Sequence, residues 1–388
     1  MLLNRKKWGT ILCAALITGM GLFQGRAYAE PEIQLAKYLQ SVKIGGDYRL
    51  RFDNEHYKKT TTADRARFRM RLRLNTDFYL PNDVAVKTTF ASGTGEATST
   101  NQTFGNLNSQ KALWVDKAYL EWGALSFLKL QGGRMANPLW TLYSTDAVWD
   151  ADVNPEGFSQ SLNYLLGGKA NLFVNGLQMV SAERSGDIHD GYLFTEQIGA
   201  EVQLPMESRL KVAYSYNDWK NTSQSNFAQT KVQEGNRRVT VNGSANTLAS
   251  KFGVSEINAE LSSWVGRLPL SLQGTFVQNN RVSSSFVEKE NKGYQTGAIL
   301  GKAKDAHTWE LAYFYKYLQS DATVADVSDS DFGAGGTNRV GHIMWAAYSP
   351  TEWLNLKTKY FITKNIDKTF PGATGDINRI QVDAQVKF

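Results

Sequence analysis

The chain has 388 residues, 43 Lys and Arg against 37 Asp and Glu, a formal net charge of +6, 12% aromatic residues and one cysteine. That cysteine, Cys13, lies in an N-terminal stretch read below as a cleaved leader, which excludes disulfide frameworks and thiolate metal sites from the mature chain. The same stretch carries Arg5, Lys6, Lys7 and Arg26 and no acid, so its removal lowers the charge from +6 to +2 and leaves no ground for bulk nucleic-acid binding.

In chain order the first element is that leader. Basic residues at Arg5, Lys6 and Lys7, an apolar stretch from Trp8 to about Phe23 and the small-residue pattern Ala27-Tyr28-Ala29 describe a secretory signal peptide over residues 1–29, cleaved before Glu30. No later segment offers the roughly 20 consecutive apolar residues of a spanning helix. Residues 30–41 form a short periplasmic N-terminal segment, in which Ile33, Leu35, Ala36 and Leu39 suit a short amphipathic helix.

From residue 42 to residue 388 the dominant pattern is strict alternation. Arg65, Arg67, Arg69, Arg71 and Arg73 interleave with Ala66, Phe68, Met70, Leu72 and Leu74. Successive side chains of a β-strand point to opposite faces, so this segment has one apolar face and one made of guanidinium groups. At roughly 3.3 Å per residue the ladder spans about 26 Å, close to the apolar height of an outer-membrane barrel. Arginine facing lipid at the midplane costs roughly 2 to 4 kcal/mol, so the ladder must face water and its apolar partners must face the membrane. Arg49 and Arg51, between Tyr48, Leu50 and Phe52, share that water-facing wall.

Further strands are expected near residues 84–92, 113–122, 127–134, 158–165, 170–181, 192–204, 209–217, 252–263, 269–278, 293–302, 308–318, 340–348, 354–363 and 378–388. With 42–53 and 65–79 these make about sixteen, an even number as bacterial barrels require. Tight connections rich in turn formers at 80–83, 205–208, 265–268, 303–306 and 349–353 read as periplasmic turns. Longer polar segments at 93–112, 135–157, 218–251, 279–292, 319–339 and 364–377 read as extracellular loops. The last strand puts Ile380, Val382, Ala384, Val386 and Phe388 on one face and Gln381, Asp383, Gln385 and Lys387 on the other, and ends on an aromatic residue. Trp114, Trp122, Tyr214, Tyr216, Trp309, Tyr313, Tyr315 and Tyr360 fall at lipid-facing positions suited to interfacial girdles. The fold class is therefore an all-β transmembrane antiparallel β-barrel.

Such a barrel normally encloses an aqueous channel. Arg49, Arg51, Arg65, Arg67, Arg69, Arg71 and Arg73 would form a basic pore wall that concentrates anions, with Asp47, Asp77, Glu121 and Asp383 available as partial counter-charges. The segment 137–157 holds Asp146, Asp150, Asp152 and Glu156 and no basic residue. If it folds inward, these carboxylates face the arginines across a constriction; otherwise it is a solvated outer loop. The acids Asp321, Asp326, Asp329 and Asp331 before Gly333-Ala334-Gly335-Gly336 have a spacing that could hold Ca²⁺ but lack the pattern of an EF-hand, and read rather as a glycine-rich surface loop. His56, His189, His307 and His342 show no metal-ligand spacing, and no nucleophile motif is present, so no enzyme, cofactor or metal centre is expected.

Gly46-Asp47-Tyr48-Arg49-Leu50-Arg51, the arginine ladder, Ser99-Thr100-Asn101-Gln102-Thr103 and Gly133-Arg134-Met135-Ala136-Asn137-Pro138 resemble successive motifs of the bacterial "putative porin" family. Trp149 to Gly157, Asp329 to Asn338 and Gly341-His342 are similar to it as well. The resemblance implies an outer-membrane porin and no particular substrate. The expectation is passive diffusion of small hydrophilic solutes, with a preference for anions given by the arginine wall, through a barrel set in outer-membrane lipid. Barrels of this kind commonly assemble as homotrimers, a state the sequence leaves open. Two other readings stand beside it: a sugar- or carboxylate-selective channel in which Trp140, Tyr143 and Trp149 stack on the ligand, and a structural barrel with a filled lumen.

Overall fold

A computed structural model describes residues 37–58, 61–143, 147–183, 185–186, 189–222, 235–241, 244–369 and 375–388. The leader and most of the 30–41 segment lie outside the described residues, as does Asp146.

Sixteen antiparallel strands build one wall: β1 (Ser41–Lys58), β2 (Arg65–Leu80), β3 (Val84–Ser92), β5 (Leu113–Leu125), β6 (Leu128–Arg134), β7 (Glu156–Leu166), β8 (Ala170–Ala182), β9 (Gly191–Gln203), β10 (Arg209–Lys220), β13 (Gly253–Val265), β14 (Leu268–Asn279), β15 (Lys292–Gly301), β16 (Thr308–Leu318), β17 (Arg339–Thr351), β18 (Leu354–Asn365) and β19 (Asp376–Lys387). The two-residue β4 (Gln102–Thr103) adds to the edge of β2, and β11 (Arg238–Val241) with β12 (Ser244–Leu248) forms a separate hairpin. Each wall strand pairs with its neighbours in the wall, and β1 pairs with both β2 and β19, so the sheet closes on itself. The seam is completed at the last residue. Gly46 N–H donates to the Phe388 carbonyl at 2.9 Å and Phe388 N–H donates back at 3.1 Å. A Cβ at position 46 would collide with the Arg73 carbonyl, which explains glycine there.

The sixteen expected strands are all present, each within a few residues of its expected bounds. Tight turns join them at one end: Asn82 and Asp83 (φ 62° and 57°), Gly167 and Gly168 (57° and 69°) and Met206 and Glu207 (58° and 53°) take the paired left-handed conformation that matches strand twist. The long loops gather at the other end.

Alternation sorts the faces as charge and lipid demand. Leu50, Phe68, Leu120, Phe158, Ile198, Ile257, Leu311 and Val382 are exposed on the outside. Trp114, Trp122, Tyr214, Trp309 and Tyr313 are exposed there too, at the girdle positions. Inside, the wall is not uniformly polar. Leu177, Leu193, Trp219, Val254 and Val277 face inward from β8, β9, β10, β13 and β14, and are covered by Leu139, Ala147, Val148, Trp149 and Val153 of the 135–155 loop, Leu248 and Phe252 before β13, and Val324 of the 319–338 loop. A second inward cluster joins Ile299, Phe314, Ile343, Trp345 and Phe361 to Phe332 of that same loop.

The glycine-rich surface loop expected at 319–338 is thus corrected. Asp321, Val324 and Phe332 are fully buried, because the loop turns into the barrel and caps the second cluster.

Ile198 lies outward near the middle of β9. Ile198→Arg is expected to destabilise the barrel by about 2 to 4 kcal/mol in lipid, whereas an arginine in a lumenal position of the same strand would cost far less. Urea unfolding in bilayers, followed by heat-modifiable gel mobility, measures it; an unchanged midpoint would contradict the assignment of faces.

Candidate functional site

The charged layer is set by the register of three strands. Across β1 and β2, Asp47 lies opposite Arg73, Asp53 opposite Arg67 and Glu55 opposite Arg65, while Arg49 meets Arg71 and Arg51 meets Arg69. Opposite charges across a strand pair stabilise a sheet and like charges directly opposite destabilise it. Two rows of the ladder therefore need acceptors from elsewhere.

They come from the next strand and from the loops. On β19, Asp383 takes Arg51 in a bidentate pair at 2.7 and 2.8 Å. Asn101 of the loop after β3 accepts from Arg49 Nη2 at 2.7 Å. From the 319–338 loop, Asp331 lies between Arg51 at 3.1 Å and Arg379 at 3.0 Å. Arg379, on β19, also grips Asp53 with two bonds at 2.7 and 2.8 Å. Arg67 reaches Asp53 at 2.8 Å and Glu55 at 2.7 Å, and Arg71 and Arg73 each reach Asp47 at 2.7 Å. The basic wall is consequently a network with interleaved carboxylates. Of the counter-charges expected from sequence, Asp47 and Asp383 belong to it, whereas Glu121 pairs with Lys87 at 2.8 Å and Lys129 at 3.7 Å on another part of the wall.

The infolded 135–155 loop distributes its acids differently from the expected row. Asp152 is the described member that reaches the ladder, with one oxygen 3.8 Å from Arg73 and the other 3.4 Å from Thr100. Asp150 is buried at the junction of the two inward loops, accepting from the Ser330 and Asp152 N–H groups at 2.9 Å while its own N–H donates to Val327 at 2.7 Å. Glu156 opens β7 and pairs with Arg134 at 2.6 Å, outside the constriction. Trp149 is buried and stacks on Trp219 at 6.5 Å, so its faces are occupied; Trp140 has Lys211 4.7 Å from its ring, and Tyr143 has Lys357 at 5.4 Å.

Each acid of the second loop is committed to a separate cation: Asp321 to Arg237, Asp326 to Arg238, Asp329 to Lys316 and Asp331 to Arg51 and Arg379. Among the described residues no group of three or more His, Cys, Asp or Glu side chains is placed to hold a metal ion. Burial pushes the Asp331 carboxyl up, but Arg379, Arg51, Lys359 and Arg69 outweigh it and hold it well below the ordinary carboxylate range.

Asp53, Glu55 and Arg379 complete the network beyond the residues singled out from sequence, and Asn101 and Asp331, singled out there in other roles, join it. Asp53 and Glu55 share the odd-numbered parity of Arg49 and Arg51, a readable signal; Asp331 has none, because its partners lie 280 and 48 positions away.

A closed sixteen-stranded barrel with a charged lumen and an infolded third loop is the architecture of an outer-membrane porin. Residues 30–252 and 224–388 match the family described as "Putative porin", and the chain belongs to it. Among curated proteins none matches. The structure is similar to that of OprB from Pseudomonas putida at high pH, with 12% identity, a TM-score of 0.57 and coverage of 89% of this chain and 94% of that one. It also resembles a loop L8 deletion mutant of OmpT from Vibrio cholerae (10% identity, TM-score 0.48, 90% and 99% covered) and a mutant of Rhodopseudomonas blastica porin (10%, 0.47, 90% and 100%). At such identity the OprB likeness shows a shared fold and nothing about solute. The protein is a channel protein of the bacterial outer membrane.

Asp331→Asn removes one carboxylate from Arg51, which keeps Asp383, and from Arg379, which keeps Asp53, and is expected to loosen the 319–338 loop by about 1 to 3 kcal/mol. Protease cleavage within 319–338 of the detergent-folded protein reads the effect. For the native carboxylate the folded pKa lies below the unfolded one, so its contribution is fully present above about pH 4 and is lost as pH falls through the folded value. Hydrogen-exchange protection of the loop should therefore hold from pH 7 to about 5 and fail only in strong acid; loss near pH 6 would contradict the pairing.

Proposed function

We propose that this porin passes small hydrophilic solutes passively, with a preference for anions, along the wall formed by Arg49, Arg51, Arg65, Arg67, Arg69, Arg71 and Arg73. The observation that carries the reading is a charge excess. These residues with Arg379 supply eight guanidinium groups, against the seven carboxylates of Asp47, Asp53, Glu55, Glu96, Asp152, Asp331 and Asp383 that lie among them. Arg73 keeps 29% of its side chain exposed and Arg65 is exposed, so part of the excess meets solvent. A confined aqueous lumen with low-dielectric walls focuses such a field and lowers the barrier for anions relative to cations.

Paired arginines contribute less. Their field is largely cancelled at short range, so selectivity of this origin is modest and falls as salt screens it. Export through a cleaved leader at residues 1–29 belongs to the same reading.

The test is the reversal potential of purified protein in a planar bilayer under a KCl gradient. The expected sign is that of chloride permeation, and Arg73→Ala should lower the chloride-to-potassium permeability ratio by about twofold. A cation-selective wild type would defeat the preference, and the absence of any conductance steps would favour a barrel with a filled lumen.

A further inference from the structure

Where the ladder nears the long-loop end, wall and loops enclose a cavity of about 350 Å³. Arg65, Arg67 and Arg69 line one side and Ser99, Asn101 and Thr103, from the connection between β3 and β5, line the other. The backbone near Ser330 and Gly333 closes a third side. The space is that of about twelve water molecules at roughly 30 Å³ each, enough for one sugar-acid molecule with some water.

Two of the arginines around it, Arg65 and Arg69, are short of acceptors. Asp53 is shared by Arg67 at 2.8 Å, Arg69 at 3.4 Å and Arg379 at 2.7 Å; Arg67 also holds Glu55 at 2.7 Å and Arg379 also holds Asp331 at 3.0 Å, so Arg69 has only this long ion pair. Arg69 Nε is buried with no hydrogen-bond partner. Arg65 is exposed and makes no ion pair among the described residues. Ser99 Oγ accepts from Arg69 Nη2 at 3.3 Å and from the Asn101 N–H and side-chain amide at 3.4 and 3.3 Å, which leaves its own proton for a further acceptor. A ligand that fits such a surface brings acceptors and negative charge.

The rim limits that charge. Glu55, Glu96 and Asp331 also border the cavity and oppose a dianion. Hydroxyl and amide groups on the loop side suit hydroxyls of the ligand.

We propose that this cavity is a binding site for a hydroxylated monocarboxylate of sugar-acid type, its carboxylate held by the Arg65 to Arg69 face and its hydroxyls by Ser99, Asn101 and Thr103. The site rests on the anion reading given above and adds to it a ligand class and a place. It lies at the long-loop end of the paired network, whose Arg67 and Arg69 form one of its sides.

Single-channel current in KCl, with sodium glucuronate, glucose or inorganic phosphate added on the loop side, tests it. Glucuronate should block saturably, glucose and phosphate much more weakly. Arg65→Ala should raise the half-blocking glucuronate concentration by about tenfold, the worth of one charge-assisted contact, and Ser99→Ala by about threefold, the worth of one neutral hydrogen bond. Heat-modifiable mobility confirms that both variants are folded. A wild type that is chloride-selective by reversal potential yet unblocked by glucuronate overturns the site and leaves the anion preference standing. Cation selectivity without block overturns both. Equal block by glucose or by phosphate overturns the ligand class, and block that persists unchanged in both variants overturns the location.

Discussion

Everything in this molecule follows from the demand that no backbone N–H or C=O face hydrocarbon unpaired. A sheet meets that demand only when its two edges meet. Here the first strand is bonded on both sides, to β2 and to β19, and the chain's last residue is locked to Gly46. Closure has a second consequence. Once the sheet is a cylinder, every strand has an outside that meets acyl chains and an inside that does not, so period-two alternation becomes compulsory and nearly every charge in the wall is driven inward.

Concentrating charge in the lumen creates its own difficulty. The register of β1 and β2 sets arginine against arginine at two rows, Arg49 with Arg71 and Arg51 with Arg69. Those rows are where residues from outside the pair arrive: Asn101 at Arg49, and Asp383 and Asp331 at Arg51. The inward path of the loops thus has an electrostatic cause on one side of the barrel and an apolar cause on the other, where Trp149, Val324 and Phe332 cover inward-facing aliphatic and aromatic side chains. Loop anchoring draws on the wall's own arginines: Arg51 and Arg379 hold Asp331, and Arg49 holds Asn101.

The strand meander was legible because alternation is a local property, carried by adjacent residues. Arg65 to Arg73 alone established the strand, its two faces and the direction of water. The girdle aromatics were legible for the same reason. The constriction was not. Asp150 and Asp152 are two positions apart and look equivalent, yet one holds two loops together and the other reaches Arg73, a distinction made by partners such as Ser330 that no local pattern reveals. The 319–338 loop misleads in the opposite direction: four aspartates and a glycine run describe a solvated surface, and each aspartate is instead spent on a lysine or arginine distant in sequence or on a neighbouring strand.

By itself the sequence determined a sixteen-stranded barrel, its lipid and water faces, the side of its short turns and the wall that carries its arginines, since each is encoded in residue-to-residue alternation. Tertiary structure alone decided how much of that positive charge is cancelled, which loops enter the lumen and where a cavity remains. Those outcomes depend on strand register and on contacts between residues far apart in the chain, which arise only when the cylinder closes.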